Sequence, residues 1–382
     1  MRTESDTVAY TYIDTQELLA TAVHELARAE VVAFDLECDN NIYHYGTRVC
    51  LMQFATPRAT YLIDTIVGLD LAPIRALMEN PKIEKIVHDT DFDLRALDAE
   101  FGWRPVHLFD TKAAARLLGH AHFGIAALLA HYFDVHHSKQ HQRADWSRRP
   151  LDPSIRAYAA GDVHYLIALR ARLGEELEAR GRMAWAREEF ERGAATRFEP
   201  DTRPLFARVK HAHALEGRQL ALLNELAIER DAIARDLNMP VFKIIADERL
   251  VALVKELSAP GAQFDSVGGM HPYLCGKGRA RFVQAMERGL RAASLAWPRA
   301  GSRALRRHES SKMLAALKQW RRDIAAEVGI DPDVLIPQTA LRHLAAGDPL
   351  DTVLAEEPVR AWQREVVGPL LKQFFSKNAD LS

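Results

Sequence analysis

Val31-Val-Ala-Phe-Asp-Leu-Glu37 is a short, apolar, β-branched run that finishes on two acids. Its length and composition predict a buried strand. Asp35 and Glu37 stand two apart, so on a strand both side chains leave the same face, about 7 Å apart by the rise per residue. Like charges at close range repel by ~4 kcal/mol even at moderate effective dielectric. Two explanations stand open from this stretch alone: solvated acids at an exposed strand end, or carboxylates that share a bound cation.

Working outward, Val49-Cys-Leu-Met-Gln-Phe-Ala55 and Thr60-Tyr-Leu-Ile-Asp64 repeat the strand signature, with Gly46, Pro57 and Arg58 between them. Three consecutive strands on short connections are expected. Alternation follows: a helix over 69–78 stopped by Asn80-Pro81, a strand over 82–87, a helix over about 91–101, a strand near 106–109, and a helix opened by Asp110-Thr111 with Asp110 as N-cap. This order predicts an α/β domain with a mixed sheet, antiparallel at first and parallel afterwards. From Pro153 onward only helical spacing remains, through Ile155, Tyr158, Ala159, Val163, Leu166 and Leu169, with Asp152 as N-cap and Pro153 in the first turn.

Gly193, Pro200 and Pro204 among polar residues mark a linker. Helical periodicity then runs over about 214–290 (Leu215, Leu222, Leu226, Leu250, Leu253, Leu257), with breaks at Pro240, Pro260-Gly261 and Gly268-Gly269. A second break at Trp297-Pro298 precedes another helical stretch of similar size, which reads as a diverged copy. The expected organisation is 1–195 for the α/β domain, 196–213 as linker, 214–295 as a helical domain, 296–307 as linker, and 308–382 as a second helical domain.

The 382 residues carry 50 Lys and Arg against 52 Asp and Glu, with 48% hydrophobic residues, which excludes a basic coating protein and a disordered chain. The near-neutral total hides an asymmetry. Residues 1–200 hold 23 bases against 30 acids (−7), and the remainder holds 27 against 22 (+5). Most of the excess lies in 277–322, where thirteen Lys and Arg face only Glu287 and Glu309. Two readings remain open for that stretch, a solvated helical face or a phosphate-binding surface. Cys38, Cys50 and Cys275 form neither a disulfide framework nor a zinc-type pair. With acids scattered through the first thirty residues and no apolar run long enough to span a bilayer, a cytoplasmic location without a membrane partner is expected.

Two more acidic clusters complete a pattern. His88-Asp-Thr-Asp-Phe-Asp-Leu94 lies at a strand-to-helix junction, where Asp89 or Asp91 is a candidate N-cap and Asp93 falls on the helix. Tyr158 and Asp162 stand four apart on a helix, which puts phenol and carboxylate one turn apart on one face. Asp35-x-Glu37, Asp93 and Tyr158-x-x-x-Asp162, in this order, resemble the three exonuclease motifs of the DEDD superfamily in its Tyr-containing subgroup. Ala157 stands where the His-containing subgroup has His. The local sequences, and Lys139 followed by Asp145-Trp146, resemble the ribonuclease D family in particular, over roughly residues 8–190. Residues 222–290, with Pro240-Val-Phe-Lys-Ile-Ile-Ala-Asp247, resemble an HRDC domain, and 308–375 resemble a more diverged copy. One departure is Phe206, where the family often has Trp.

The resemblance implies a ribonuclease H-like exonuclease domain followed by two small all-α HRDC-type domains. It implies a 3′-to-5′ exoribonuclease that hydrolyses 3′-terminal phosphodiesters of single-stranded RNA to nucleoside 5′-monophosphates and matures tRNA precursors and other small RNAs. No obligate protein partner is implied. Two divalent ions, Mg²⁺ or Mn²⁺, would be held by Asp35, Glu37, Asp93 and Asp162, with Tyr158 orienting the attacking water. Leu36, His88 and Lys139 would be substrate contacts, and Lys277, Arg303, Arg306 and Arg307 the nucleic-acid surface. The alternatives are a DNA 3′ exonuclease of repair and a catalytically inactive nucleic-acid-binding protein. His131, His136, His137 and His141 lack the spacing of a zinc site and are expected on exposed loops.

Overall fold

The computed structural model describes residues 8–136, 141–259, 271–298, 310–356 and 358–378. They fall into two compact units, one of Met1–Glu37, Val49–Phe198 and Arg303–Ser382, the other of Cys38–Arg48 and Glu199–Ser302.

The first unit is built on a six-stranded sheet of β1 (Thr11–Ile13), β2 (Val31–Asn40), β3 (Thr47–Ala55), β4 (Thr60–Asp64), β5 (Glu84–Val87) and β6 (Leu108–Asp110), in spatial order β1-β4-β3-β2-β5-β6. β3 and β4 pair antiparallel, whereas β1 with β4, β2 with β5 and β5 with β6 pair parallel. The sheet is therefore mixed, as the order of elements in the sequence implies. Edge strand β1 and the helix after it, α1 (Gln16–Leu26), were not among the expected elements; three residues of strand are too short for a periodicity to register. The remaining helices of the α/β part are α2 (Ala72–Met78), α3 (Thr90–Phe101), α4 (Thr111–Leu117), α5 (Ile125–Phe133), α6 (Pro153–His164), α7 (Leu166–Ala179) and α8 (Met183–Ala194). Asp152 caps α6 by accepting from the Ser154 N–H, and Pro153 fills the first turn, where its missing N–H costs nothing.

The second unit holds α9 (Leu205–Arg208), α10 (Arg218–Asp236), α11 (Val241–Ile244), α12 (Asp247–Leu257), α13 (Pro272–Cys275) and α14 (Arg279–Arg291). Its core gathers Leu222, Leu226, Ile244, Leu253 and Phe282. The expected linker 196–213 is shorter than its composition suggested. Phe206 and Val209 are buried in this core, with Phe206 against Trp297 at 5.5 Å, so the chain is anchored from α9 onward. The tip of the β2–β3 hairpin also belongs here: Tyr45 donates its hydroxyl to Asp231 at 2.9 Å and stacks under Arg235.

The last helices are α15 (Ser311–Val328), α16 (Pro332–Leu335), α17 (Gln338–Ala345), α18 (Leu350–Ala355) and α19 (Ala361–Lys377). Two features recur in them at the spacing of the preceding helices. Arg230 of α10 is buried and donates to the carbonyl of Ile245, and 91 residues on, Arg321 of α15 is buried and donates to the carbonyl of Ile336. The same offset maps α11 onto α16. These helices share one core with the α/β part, in which Leu117, Leu173 and Phe190 meet Leu335, Leu341 and Trp362. Trp185 stacks on Trp362 at 4.7 Å, and Arg182 donates to the carbonyls of Leu117, Val328 and Gly329. Gly119 has φ +77, and a Cβ there would lie 2.6 Å from the Gly329 carbonyl, so only glycine permits this approach. Residues 310–378, expected as a domain of their own, thus pack as part of the first unit.

Candidate active site

β2 carries Asp35 and Glu37 on one face, as the two-residue period requires. α6 brings Tyr158 and Asp162 to them from another element, and α3 brings Asp93 in its first turn. Asp35, Glu37 and Asp162 each place a carboxylate oxygen within 4.8 Å of the others. Asp93 is 6% exposed and lies within hydrogen-bonding reach of Asp35. Tyr158 hydrogen-bonds Asp162 one turn away. The five residues singled out from the sequence are therefore brought together, from three elements separated by up to 127 positions.

The electrostatics of the cluster are unfavourable by design. Burial, followed by the negative charges of Asp93, Asp162 and Glu37, pushes the Asp35 carboxyl well above the usual range. Glu37 is raised by burial and then by Asp162 and Asp93, and Asp93 is pushed up to about 8, chiefly by burial. Among the described residues no Lys or Arg pairs with Asp35, Glu37 or Asp93. Burial, with the charges of Asp162, Glu37 and Asp35, also raises the Tyr158 phenol, which stays protonated as a hydrogen-bond donor. Clustered hard oxygen donors fit divalent cations of the Mg²⁺ class. Such ions would remove the repulsion that the fold leaves uncompensated.

The neighbouring acids have structural work. Asp89 stands at the N-cap position of α3 but has φ +77 and makes no capping bond. Asp110 does the capping instead: its carboxylate accepts from the N–H groups of Asp89 and Thr90 as well as those of Lys112 and Ala113, closing the starts of α3 and α4 together. The helix begins too late to align Asp89 with Asp93, and Asp89 pairs with Lys112. Asp91 is exposed and paired with Arg95 one turn on. The N-cap expected of Asp89 or Asp91 is thus supplied from β6, a pairing that local spacing does not encode.

The expected substrate contacts are distributed as follows. Leu36 is 6% exposed, and strand alternation turns it to the face opposite Asp35 and Glu37. His88 directs Nδ1 to the Thr111 hydroxyl at 2.9 Å, and that hydroxyl in turn donates to the Val87 carbonyl, so Nδ1 carries the proton. Lys139 and His137 lie outside the described residues, as do Arg303, Arg306 and Arg307. His141 sets its ring edge against Tyr158 at 5.8 Å, whereas His131 packs on His120 and Tyr132. Lys277 is exposed in the turn before α14. Of the basic stretch, Arg281 pairs with Glu229 and Asp236, Arg288 with Glu225 and Glu229, and Arg321 with Asp333. Three of the thirteen bases are thus answered by acids from other helices.

One group beside the site entered the sequence reading only through the Asp145-Trp146 segment of the family resemblance, with no role assigned to it. Trp146, 2% exposed, packs on Tyr158 with ring centroids 6.2 Å apart. The loop that carries it is tied down by Arg149, whose partner Asp64 is 85 residues earlier in the chain. No periodicity links the two.

Comparison with known proteins agrees with this geometry. Residues 10–178 match a family model described as 3′-5′ exonuclease, and residues 219–286 match the HRDC domain. Ribonuclease D of Pseudomonas paraeruginosa is 30% identical over 328 residues, covering 84% of this chain and 86% of that protein. Ribonuclease D of Acidiphilium cryptum is also 30% identical, covering 93% and 90%. Among solved structures, a protein from Bifidobacterium adolescentis superposes with a TM-score of 0.78 at 27% identity, covering 94% of this chain and 95% of that one. Escherichia coli RNase D, at 24% identity, shares the fold over 97% of this chain and all of that one, with a TM-score of 0.70. The chain belongs to the ribonuclease D family of 3′-5′ exoribonucleases.

Proposed function

We propose that this exoribonuclease binds two divalent cations, Mg²⁺ or Mn²⁺, at its acidic cluster and trims the 3′ ends of tRNA precursors and other small RNAs, releasing nucleoside 5′-monophosphates. The carrying observation is the convergence of carboxylate oxygens of Asp35, Glu37 and Asp162 within 4.8 Å of one another, in a chain of this family. Asp35, Glu37 and Asp162 would hold one ion, and Asp35 and Asp93 the second. When bound, the pair would activate water, neutralise the phosphate and stabilise the leaving 3′-oxygen. Tyr158 stays protonated and orients the attacking water by a hydrogen bond; it is not the base. Cation binding would favour the deprotonated forms of Asp35 and Asp93.

We further read residues 308–382 as a second, diverged HRDC-like module, supported by the repeated placement of Arg230 and Arg321. We place the protein in the cytoplasm: its three cysteines form no disulfide, and no described helix is long and apolar enough to cross a membrane.

The test is a 5′-labelled single strand incubated with the protein and Mg²⁺, alongside a matched DNA strand and an unprocessed tRNA transcript. Stepwise shortening of the RNA from its 3′ end, with 5′-monophosphates in solution, is the expected result. A cleavage pattern that starts inside the strand, or equal activity in Asp35→Ala, would remove the assignment of the site.

A further inference from the structure

Tyr158 sits on a regular helix, but the surface its ring leans on is a loop. Residues 141–152 connect α5 to α6 without a run of helix or strand among the described positions, and Trp146 projects from this loop onto Tyr158 and the core formed by Cys50, Leu51 and Ala159. A loop without internal ladders needs an external anchor to hold a side chain in one place.

That anchor is a fully satisfied ion pair. Arg149 uses all five N–H groups: Nε and one Nη2 hydrogen go to the two carboxylate oxygens of Asp64, the other Nη2 hydrogen to the Cys50 carbonyl at 2.8 Å, and Nη1 to the carbonyls of Trp146 at 2.7 Å and Arg148 at 2.8 Å. Asp64, with no exposed surface, fills its remaining sites from the Tyr12 hydroxyl and the Ile66 N–H. The pair thus joins β1, β3 and β4 to the backbone of Trp146 itself. The planar guanidinium fork makes this geometry, and a lysine ammonium cannot reproduce it.

We propose that Arg149 and Asp64 are positioning residues for catalysis, which hold Trp146 as the wall against which Tyr158 presents its hydroxyl to the reacting water. This rests on the reading of Tyr158 as the residue that orients that water. The hydrogen bonds of Arg149 go to Asp64, Cys50, Trp146 and Arg148 and not to the carboxylate cluster, so it acts through the indole.

The experiment is a double-mutant cycle on the full chain, with kcat and KM measured on a short 5′-labelled RNA at saturating Mg²⁺. Arg149→Lys should lower kcat on the order of tenfold, the scale of a slightly misplaced catalytic group, with KM within about twofold. In a Tyr158→Phe background the same substitution should cost less than about twofold, because the group it positions is gone. Mg²⁺ binding measured by calorimetry should be unchanged. Equal losses in both backgrounds, or weakened Mg²⁺ binding, would overturn the proposal. Full activity in Tyr158→Phe alone would instead sink the role given to the tyrosine, and the positioning proposal with it. Should Arg149→Lys not fold, Trp146→Phe reads the same cycle with the ion pair intact, and an unchanged kcat there is equally fatal.

Discussion

Asp35 and Asp64 belong to strands of the same sheet, and their surroundings are opposite in sign. Asp64 is wholly buried and has a guanidinium, a phenol and an amide N–H on its oxygens; although burial pushes its carboxyl up, the hydrogen bonds from Arg149 and Tyr12 win and hold it below the usual range. At Asp35 burial and three negative neighbours push up, and the Leu36 backbone hydrogen bond that opposes them does not win. The first arrangement is what a fold does when it must bury a charge for its own stability. The second suits a site at which a bound cation supplies positive charge, since among the described residues no Lys or Arg pairs with Asp35. Charge balance, more than burial, separates structural acids from functional ones here.

Activity is where that contrast should appear at its largest. Asp35→Asn is expected to lower kcat/KM by at least about 10³-fold, yet to leave the metal-free protein as stable as the parent or more so, because it removes repulsion. Kinetics and thermal melts in EDTA read both halves. A destabilised Asp35→Asn would show that the carboxylate is structural after all. Asp64→Ala should act first on stability: breaking a buried pair from one side costs about 3–5 kcal/mol, measurable by urea unfolding, while Mg²⁺ binding at the acidic cluster persists and kcat falls only through the loosened Trp146.

A subtler test uses pH, since the two sets carry opposite linkage. Asp35, Glu37 and Asp93 hold protons in the folded state at pH values where the unfolded chain, with ordinary carboxyls near ~4, has released them. Their contribution to stability is present at acid pH and is lost as pH rises toward and through about 8, the value for Asp93. Asp64, held low, contributes above about 4 and loses its contribution as pH falls through its own lower value. Melts in EDTA between pH 5 and 9 should therefore decline on the alkaline side, and Mg²⁺ should restore more stability the higher the pH, because cations bind the deprotonated cluster. A Mg²⁺ effect that is flat in pH would contradict the raised carboxyls.

Much of this was legible in the residues, and the illegible part has a physical pattern. The strand 31–37 and its two acids follow from a period of two, and the Tyr158–Asp162 pair follows from one helical turn; both are local. What escaped was non-local. Asp110 caps the helix that Asp89 or Asp91 was expected to cap, because the two helix starts meet at neighbouring strand ends, 21 residues apart in sequence. Arg149 finds Asp64 across 85 residues, and β1 is three residues long and defined by its partner β4. The hydrophobic pattern of the last helices was read correctly as helical, but not that their apolar faces would close on the α/β part, since the pattern shows which face is buried and not against what.

The rule of charge balance extends to the bases and gives the smallest predicted effect. The stretch 277–322 looked like a polyanion surface when only its own acids were counted. Arg281 and Arg288, however, are answered by Glu229, Asp236 and Glu225 from α10, and an arginine already paired releases little when a phosphate arrives. Removing these two should leave the salt dependence of RNA binding unchanged and cost no more than about 0–1 kcal/mol of stability each, the ordinary worth of exposed pairs. Reversing Arg303, Arg306 and Arg307 should instead reduce the slope of log K against log salt by about 2–3 if they contact the strand. Filter binding of one RNA over a salt series compares the two sets directly. A slope that falls with Arg281 and Arg288 would mean that pairing within a helical module does not withdraw an arginine from RNA, and that balance sorts acids but not bases in this chain.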